Sequence, residues 1–279
     1  MLIYPNAKIN IGLRVTEKRR DGYHNIETAF YPIPLMDGLE ITAKRDDDDP
    51  TPCQLRVQGA ILDGGPQDNL VVRAYELLRR DYPEKVSPLA MHLFKHIPTG
   101  AGLGGGSSDG AFALQALNER FALGITPEQL VRYAARLGAD CPFFLYNTPM
   151  LARGIGDELT PLSLSLTGKK LVIVKPDISV STREAYQGVI PQEPDTPLPQ
   201  LLSRPIEEWA ETVVNDFEPS VFSRYPEIAA IKDRLYDLGA LYASMSGSGS
   251  CVYGIFSQPV EFIDEIFAGY FCRQRTLEL

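Results

Sequence analysis

Apolar and polar residues alternate cleanly from position 7 to 15, with Ile9, Ile11, Leu13 and Val15 on one side and Lys8, Asn10, Gly12 and Arg14 on the other. A period of two predicts a half-buried strand that carries Lys8 and Asn10 on its polar face. Asp21-Gly22 marks a turn, and strands are expected over 26–34 and 39–44. From 69 the period lengthens. Leu70, Val71, Ala74, Leu77 and Leu78 form a helical stripe over 69–80, with Asp68 as its cap. Leu89, Met91, Leu93 and Ile97 return to the strand period and lead directly into Pro98-Thr99-Gly100-Ala101-Gly102-Leu103-Gly104-Gly105-Gly106-Ser107-Ser108. A helix over 108–120 follows, with Ala113, Leu114 and Leu117 inward. Thr126, Pro127 and Gln129 spell a capping box for another helix, with Leu130, Ala134 and Leu137 on its buried face. Gly138 suits a left-handed stop, and Asp140 lies just beyond it.

The second half reads as a linker or hairpin over 156–171, a strand at 171–175 and a loop punctuated by Pro191, Pro194, Pro197 and Pro199. Helices at 206–214 and 226–238, a loop at Ser246-Gly247-Ser248-Gly249, a strand at 251–256, a helix at 260–267 and a strand at 270–275 complete an α+β order. No segment repeats. Two α+β domains, 1–155 and 156–279, are the simplest organisation.

Composition narrows the partners more than the fold. The chain has 279 residues, 44% hydrophobic and 23% charged, enough for a sizeable core. A formal charge of −9, from 27 basic and 36 acidic residues, argues against generic binding to nucleic acid or to an anionic membrane. Part of the excess is the run Asp46-Asp47-Asp48-Asp49, expected as a solvated loop because like charges that close repel. Cys53, Cys141, Cys251 and Cys272 are widely spaced and are expected as reduced, mostly buried thiols. No charged start leads into an apolar stretch, and none is long enough to span a bilayer, so the cytoplasm is the expected location.

The glycine-rich segment carries the first candidate chemistry. It lies between a strand and a helix, where backbone N–H groups and the helix dipole converge on an anion. Side chains there would hold a polyphosphate away from those donors, and Ser107 and Ser108 add hydroxyls that can donate or meet magnesium. Three nucleotide motifs compete. The P-loop pattern fails because no lysine follows the glycines. Gly100 to Gly105 satisfies GxGxxG, and a dinucleotide site stays open on that basis, although Glu119 falls inside a helix and not at a strand end. The protein-kinase set lacks its companion motifs.

With Pro5-Asn6-Ala7-Lys8-Ile9-Asn10 before it and Ser246-Gly247-Ser248-Gly249-Ser250-Cys251 after it, the segment resembles the GHMP kinase superfamily, ATP-dependent kinases of small alcohols. Asp21-Gly22-Tyr23-His24 and Leu137-Gly138-Ala139-Asp140-Cys141-Pro142-Phe143 resemble the branch that phosphorylates the 2-hydroxyl of a cytidine diphosphate conjugate of methylerythritol in the non-mevalonate isoprenoid route. The resemblance implies an N-terminal mixed-sheet nucleotide-binding domain and a C-terminal ferredoxin-like substrate domain. It implies Asp140 as the base for the acceptor hydroxyl, with Lys8 beside it. ATP would be held by Pro98, Thr99, Gly100, Ala101, Gly102, Leu103, Gly104, Gly105, Gly106, Ser107 and Ser108, with Asn69 and Lys95 on the nucleotide side. Asn10, Tyr23, His24, Thr182, Tyr186, Gly247 and Gly249 would meet the acceptor, with cytosine stacked on an aromatic ring. Lys95, flanked by apolar Leu93 and Ile97, either snorkels or reaches the nucleotide. Mg²⁺ is expected with ATP, its protein ligands unspecified. The expected state is a monomer or homodimer, and a mevalonate, homoserine or sugar kinase is the alternative within the superfamily.

Overall fold

A computed structural model describes residues 1–44, 50–59 and 65–278, so the acidic run at 46–49 lies outside the described residues. In chain order the elements begin with β1 (Leu2–Ile3), β2 (Asn6–Lys18), β3 (His24–Met36), β4 (Gly38–Ala43), β5 (Cys53–Gln58), α1 (Leu70–Asp81) and β6 (Leu89–Phe94). Three helices follow, α2 (Gly105–Arg120), α3 (Pro127–Leu137) and α4 (Cys141–Tyr146), then the hairpin of β7 (Met150–Arg153) and β8 (Glu158–Pro161). The rest is β9 (Lys170–Lys175), α5 (Thr182–Tyr186), α6 (Leu198–Leu202), α7 (Glu218–Arg224), α8 (Pro226–Asp237), β10 (Tyr242–Met245), β11 (Val252–Phe256), α9 (Ile263–Ile266) and β12 (Phe271–Thr276).

Two compact units share these elements, each assembled from three segments: Met1–Ala7, Leu35–Thr99 and Gly104–Asn147 form the first, Lys8–Pro34, Gly100–Leu103 and Thr148–Leu279 the second. The units therefore do not divide at one point near 155. Residues 8–34 join the second unit because β2 and β3 share a sheet with β7 and β8, and because Leu13 and Val15 pack with Val172, Val174 and Phe217.

The first unit holds a mixed sheet in the order β1-β4-β6-β5, with β5 parallel to β6 and the other pairs antiparallel. The helix α1 is capped by Asn69, whose Oδ1 accepts from Val71 N, and not by Asp68. Asp68 instead closes the preceding 3₁₀ turn by accepting from Gly65 N. The capping box of α3 forms as its sequence dictates, with Gln129 N donating to Thr126 and Thr126 N donating to the Gln129 side chain. Gly138 ends that helix in extended backbone (φ 177°), not in the left-handed region, and its carbonyl accepts from the N–H of Cys141, the first residue of α4 (3.2 Å).

The second unit contains the sheet β2-β3-β7-β8 and a second, fully antiparallel sheet in the order β10-β11-β9-β12. Numbering β9 to β12 as one to four gives 4-1-3-2, the strand order of a ferredoxin-like βαββαβ unit, with α7 and α8 in the first crossover and α9 in the second. The helix expected over 206–214 is a single 3₁₀ turn, Ile206–Glu208. The β2 strand departs most from its prediction: both faces are covered, and Lys8 and Asn10 are only 4% and 3% exposed. All four cysteines are free and buried. Among the described residues no helix is long and apolar enough to cross a membrane.

Candidate active site

The glycine segment is ordered by different neighbours at its two ends. In the second unit, Lys8 N donates to Leu103 O (3.0 Å), and Ser246 Oγ donates to Gly102 O (2.9 Å). Gly102 has φ +73°, and a Cβ there would lie 1.9 Å from Ser246 O, so backbone meets backbone and only glycine is accommodated. Gly247 faces the same spot: its Cβ position is 3.3 Å from both Gly102 Cα and Asn10 Oδ1. Asn215, unforeseen from sequence, holds this second glycine turn by donating from Nδ2 to Met245 O (2.8 Å) and Gly247 O (2.9 Å). Gly249 N closes it on Ser246 O, and Thr182 Oγ1 lies 3.5 Å from Ser248 Oγ.

In the first unit, α2 begins at Gly105, three residues earlier than its apolar stripe suggests, with left-handed Gly104 as its cap residue. No side chain caps it, and helix geometry leaves its leading N–H groups without intrahelical carbonyls. Gly106 opens onto space and lines a cavity of ≈ 450 Å³ with Asn69, Lys95, Thr99 and Asp109, closed on its apolar side by Val57, Pro66 and Leu70. Uncapped donors and a positive dipole end beside a half-apolar cavity make a receptacle for a heterocycle carrying phosphates. Ser107 is half-buried, and the Cys141 thiol is pushed up to about 12 by burial, which outweighs the lowering effect of the Ser107 hydroxyl. The helix α4, with Asp140 at its cap position, packs against α2. Ser108 is instead turned inward, its Oγ without a partner among the described residues.

Lys95 does not snorkel. At 6% exposure, its ammonium donates to Asp37 Oδ2 and to Asp109 Oδ2 (2.8 Å). Asp37 Oδ1 also accepts from His96 N (2.5 Å) and Ile97 N (2.8 Å), tying the end of β6 to the β3–β4 turn. Burial alone would lower the Lys95 pKa, but the Asp109 and Asp37 charges outweigh it and raise it. For Asp109 burial wins over the Lys95 ammonium, and its carboxyl rises to about 7. Neither aspartate was singled out from sequence. Asp109 directly follows the quoted glycine segment, and Asp37 precedes a turn glycine, but nothing local pairs them with Lys95.

Lys8 lies over the Phe30 ring (4.7 Å to its centroid) and donates to Asn10 Oδ1 (2.5 Å). Elsewhere in the second unit, His24 and Tyr186 stack with centroids 4.6 Å apart and planes 15° off parallel. Tyr186 also meets the edge of Phe217 at 4.8 Å. Tyr23 is 62% exposed beside them in sequence, its N–H held by Asp21 Oδ1. Burial and nearby Lys18 lower the His24 pKa, which favours the neutral ring.

Residues 69–148 match the family model of the GHMP kinases N terminal domain, and 198–269 match that of the GHMP kinases C terminal. The chain belongs to the GHMP kinases, ATP-dependent phosphotransferases. It is 51% identical over 278 residues to the 4-diphosphocytidyl-2-C-methyl-D-erythritol kinase of Bacteroides fragilis, covering 100% of both chains. Against the kinase of the same name from Bacteroides thetaiotaomicron it is 52% identical over 256 residues, 92% of each. A crystal structure of 4-(cytidine 5'-diphospho)-2C-methyl-D-erythritol kinase aligns at TM-score 0.81 with 32% identity and 98% of each chain covered. Mevalonate kinase of Methanococcus jannaschii, at 14% identity and TM-score 0.71 over 100% of this chain and 98% of its own, shares the fold alone.

Proposed function

We propose that the protein transfers the γ-phosphoryl group of ATP to the 2-hydroxyl of 4-diphosphocytidyl-2-C-methyl-D-erythritol, releasing ADP and the 2-phosphate. The observation that carries this reading is identity of about half over the whole length to kinases of that name. The glycine segment 98–108, with Asn69 and Lys95 at the adjoining cavity, supplies the nucleotide side. Asp140 takes the hydroxyl proton as the oxygen attacks phosphorus, and Lys8 balances charge on the reacting oxygens. Such a transfer needs positioning and charge stabilisation more than covalent chemistry. Asn10, Thr182, Gly247 and Gly249 approach the acceptor, and Tyr23, His24 and Tyr186 select cytosine by stacking. The His24–Tyr186 contact supports an aromatic-lined pocket.

Magnesium enters this reading with the nucleotide. No cluster of three or more His, Cys, Asp or Glu among the described residues forms a ready metal cage. The hydroxyl of Ser107 at the start of α2 is the oxygen donor that suits an ion carried in on phosphates, where it would neutralise developing charge. A cytoplasmic location and a monomer or homodimer are part of the same proposal.

ADP release with the cytidylated substrate, compared with mevalonate, homoserine and galactose, tests the reading. Turnover of the first alone is expected, and turnover of another with none of the first would overturn it. Asp140→Asn should bind both substrates and lose most of its turnover, about 10²-fold or more, as expected when a positioned base is removed.

A further inference from the structure

We infer that Thr28, on β3, is a positioning residue that fixes the orientation of the Asn10 amide and through it the Lys8 ammonium. The inference rests on the kinase reading for its catalytic consequence and on hydrogen-bond polarity for its geometry.

Thr28 is fully buried, and its hydroxyl lies 2.5 Å from Gly12 O. A backbone carbonyl only accepts, so the single hydroxyl proton of Thr28 is committed to Gly12. What remains at Thr28 Oγ1 is lone-pair density, and the group it faces at 3.1 Å must be a donor. That group is therefore the NH₂ end of Asn10. The opposite end, Oδ1, then points at Lys8 Nζ, 2.5 Å away, and accepts from it. Turning the amide over would set an NH₂ against an ammonium and a carbonyl oxygen against the lone pairs of Thr28. Both contacts would be repulsive at these distances.

The rest of Asn10 has no freedom to compensate. Its N–H donates to Ser246 Oγ (3.2 Å) and its carbonyl accepts from Tyr253 OH (2.7 Å). The main chain is held on both sides, which leaves the side-chain torsions as the movable part. Thr28 removes that motion. A chain of fixed polarity results, from Lys8 through Asn10 and Thr28 to the Gly12 carbonyl. The Lys8 ammonium, 4% exposed, is thereby aimed by a residue that the sequence pattern places on another strand and that carries no charge.

Thr28→Val keeps the side-chain shape and removes the hydroxyl, and Thr28→Ser keeps the hydroxyl. Thr28→Val is expected to lower kcat about 10- to 100-fold, the scale of a small misplacement of a reacting group, with KM for ATP unchanged. Thr28→Ser should restore kcat. Hydrogen exchange of the Asn10 side-chain amide, followed by NMR without substrates, should be slow in the parent and in Thr28→Ser and fast in Thr28→Val. Wild-type kcat in folded Thr28→Val would overturn the inference. So would a Thr28→Val melting-temperature loss with kcat per folded molecule unchanged, the signature of a merely structural hydroxyl. If the parent turns over none of the cytidylated substrate, the functional reading falls. Equal Asn10 exchange in parent and Thr28→Val would then still refute the orientation.

Discussion

At the scale of single residues, this protein places ionisable groups where water cannot reach them and lets neighbours decide their state. The Lys95–Asp37–Asp109 cluster shows this most clearly. Two carboxyls share one ammonium in a buried place, so their second negative charge has no full counterweight. Asp109 carries the consequence, with one oxygen lacking a partner among the described residues and a pKa near 7. Because that folded value lies above the ordinary carboxylate range, the native state binds more protons than the unfolded chain between about pH 4 and pH 7. Its contribution to stability is therefore greatest at low pH and is lost as pH rises through that window. Asp109→Asn removes the titration. Its melting temperature relative to the parent should climb as pH goes from about 4 to about 7. A difference that stays constant across the window would show that Asp109 does not titrate there.

At the scale of elements, what could be read from the sequence was what the chain decides locally. The helix α3 is the clearest case: cap, proline, capping box and apolar stripe all lie within 126–137, and each forms as read. Thr126→Ala should accordingly cost about 1 kcal/mol of stability, measured by denaturant unfolding, with turnover unchanged. Where a neighbour decides, the pattern misleads. Asn69 displaces Asp68 as the cap of α1 because the 3₁₀ turn already engages the aspartate. The start of α2 runs back into glycines that helix propensity disfavours. The strand β5 escaped notice because its last three residues, Arg56, Val57 and Gln58, are exposed and blur the alternation. The candidate site follows the same division. Its glycines, Ser246, Lys8 and Asp140 sit in contiguous motifs, but Thr28, Asn215 and Asp37 act across the fold and leave no local trace. Gly102 joins both kinds. The motif names it, yet only the structure shows why alanine would fail: a Cβ would strike Ser246 O. Gly102→Ala should lower the melting temperature far more than Gly106→Ala, whose Cβ would enter the open cavity and meet no protein atom, and thermal unfolding of the two variants will read the contrast.

For the whole molecule, chain order and compact unit do not coincide. The second unit draws its core from Leu13 and Val15 as well as from Val172, Val252 and Cys272. A fragment of 156–279 lacks β2, β3 and β7, and with them two partners in that core. It is expected to unfold without a cooperative transition in calorimetry, whereas the full chain unfolds cooperatively. A sharp transition in the fragment would show that the ferredoxin-like sheet is self-sufficient.

The same interleaving sets a timetable on the ribosome. Strands β2 and β3 emerge long before β12, the strand that completes the ferredoxin-like sheet and ends at Thr276. At roughly 5–20 residues per second, the apolar face of β2 waits many seconds for the rest of its core to be made. A hydrophobic segment made early is thus buried late. Nascent chains halted before β12 should expose it to holdases and to protease, and its shelter should come only once β12 has emerged.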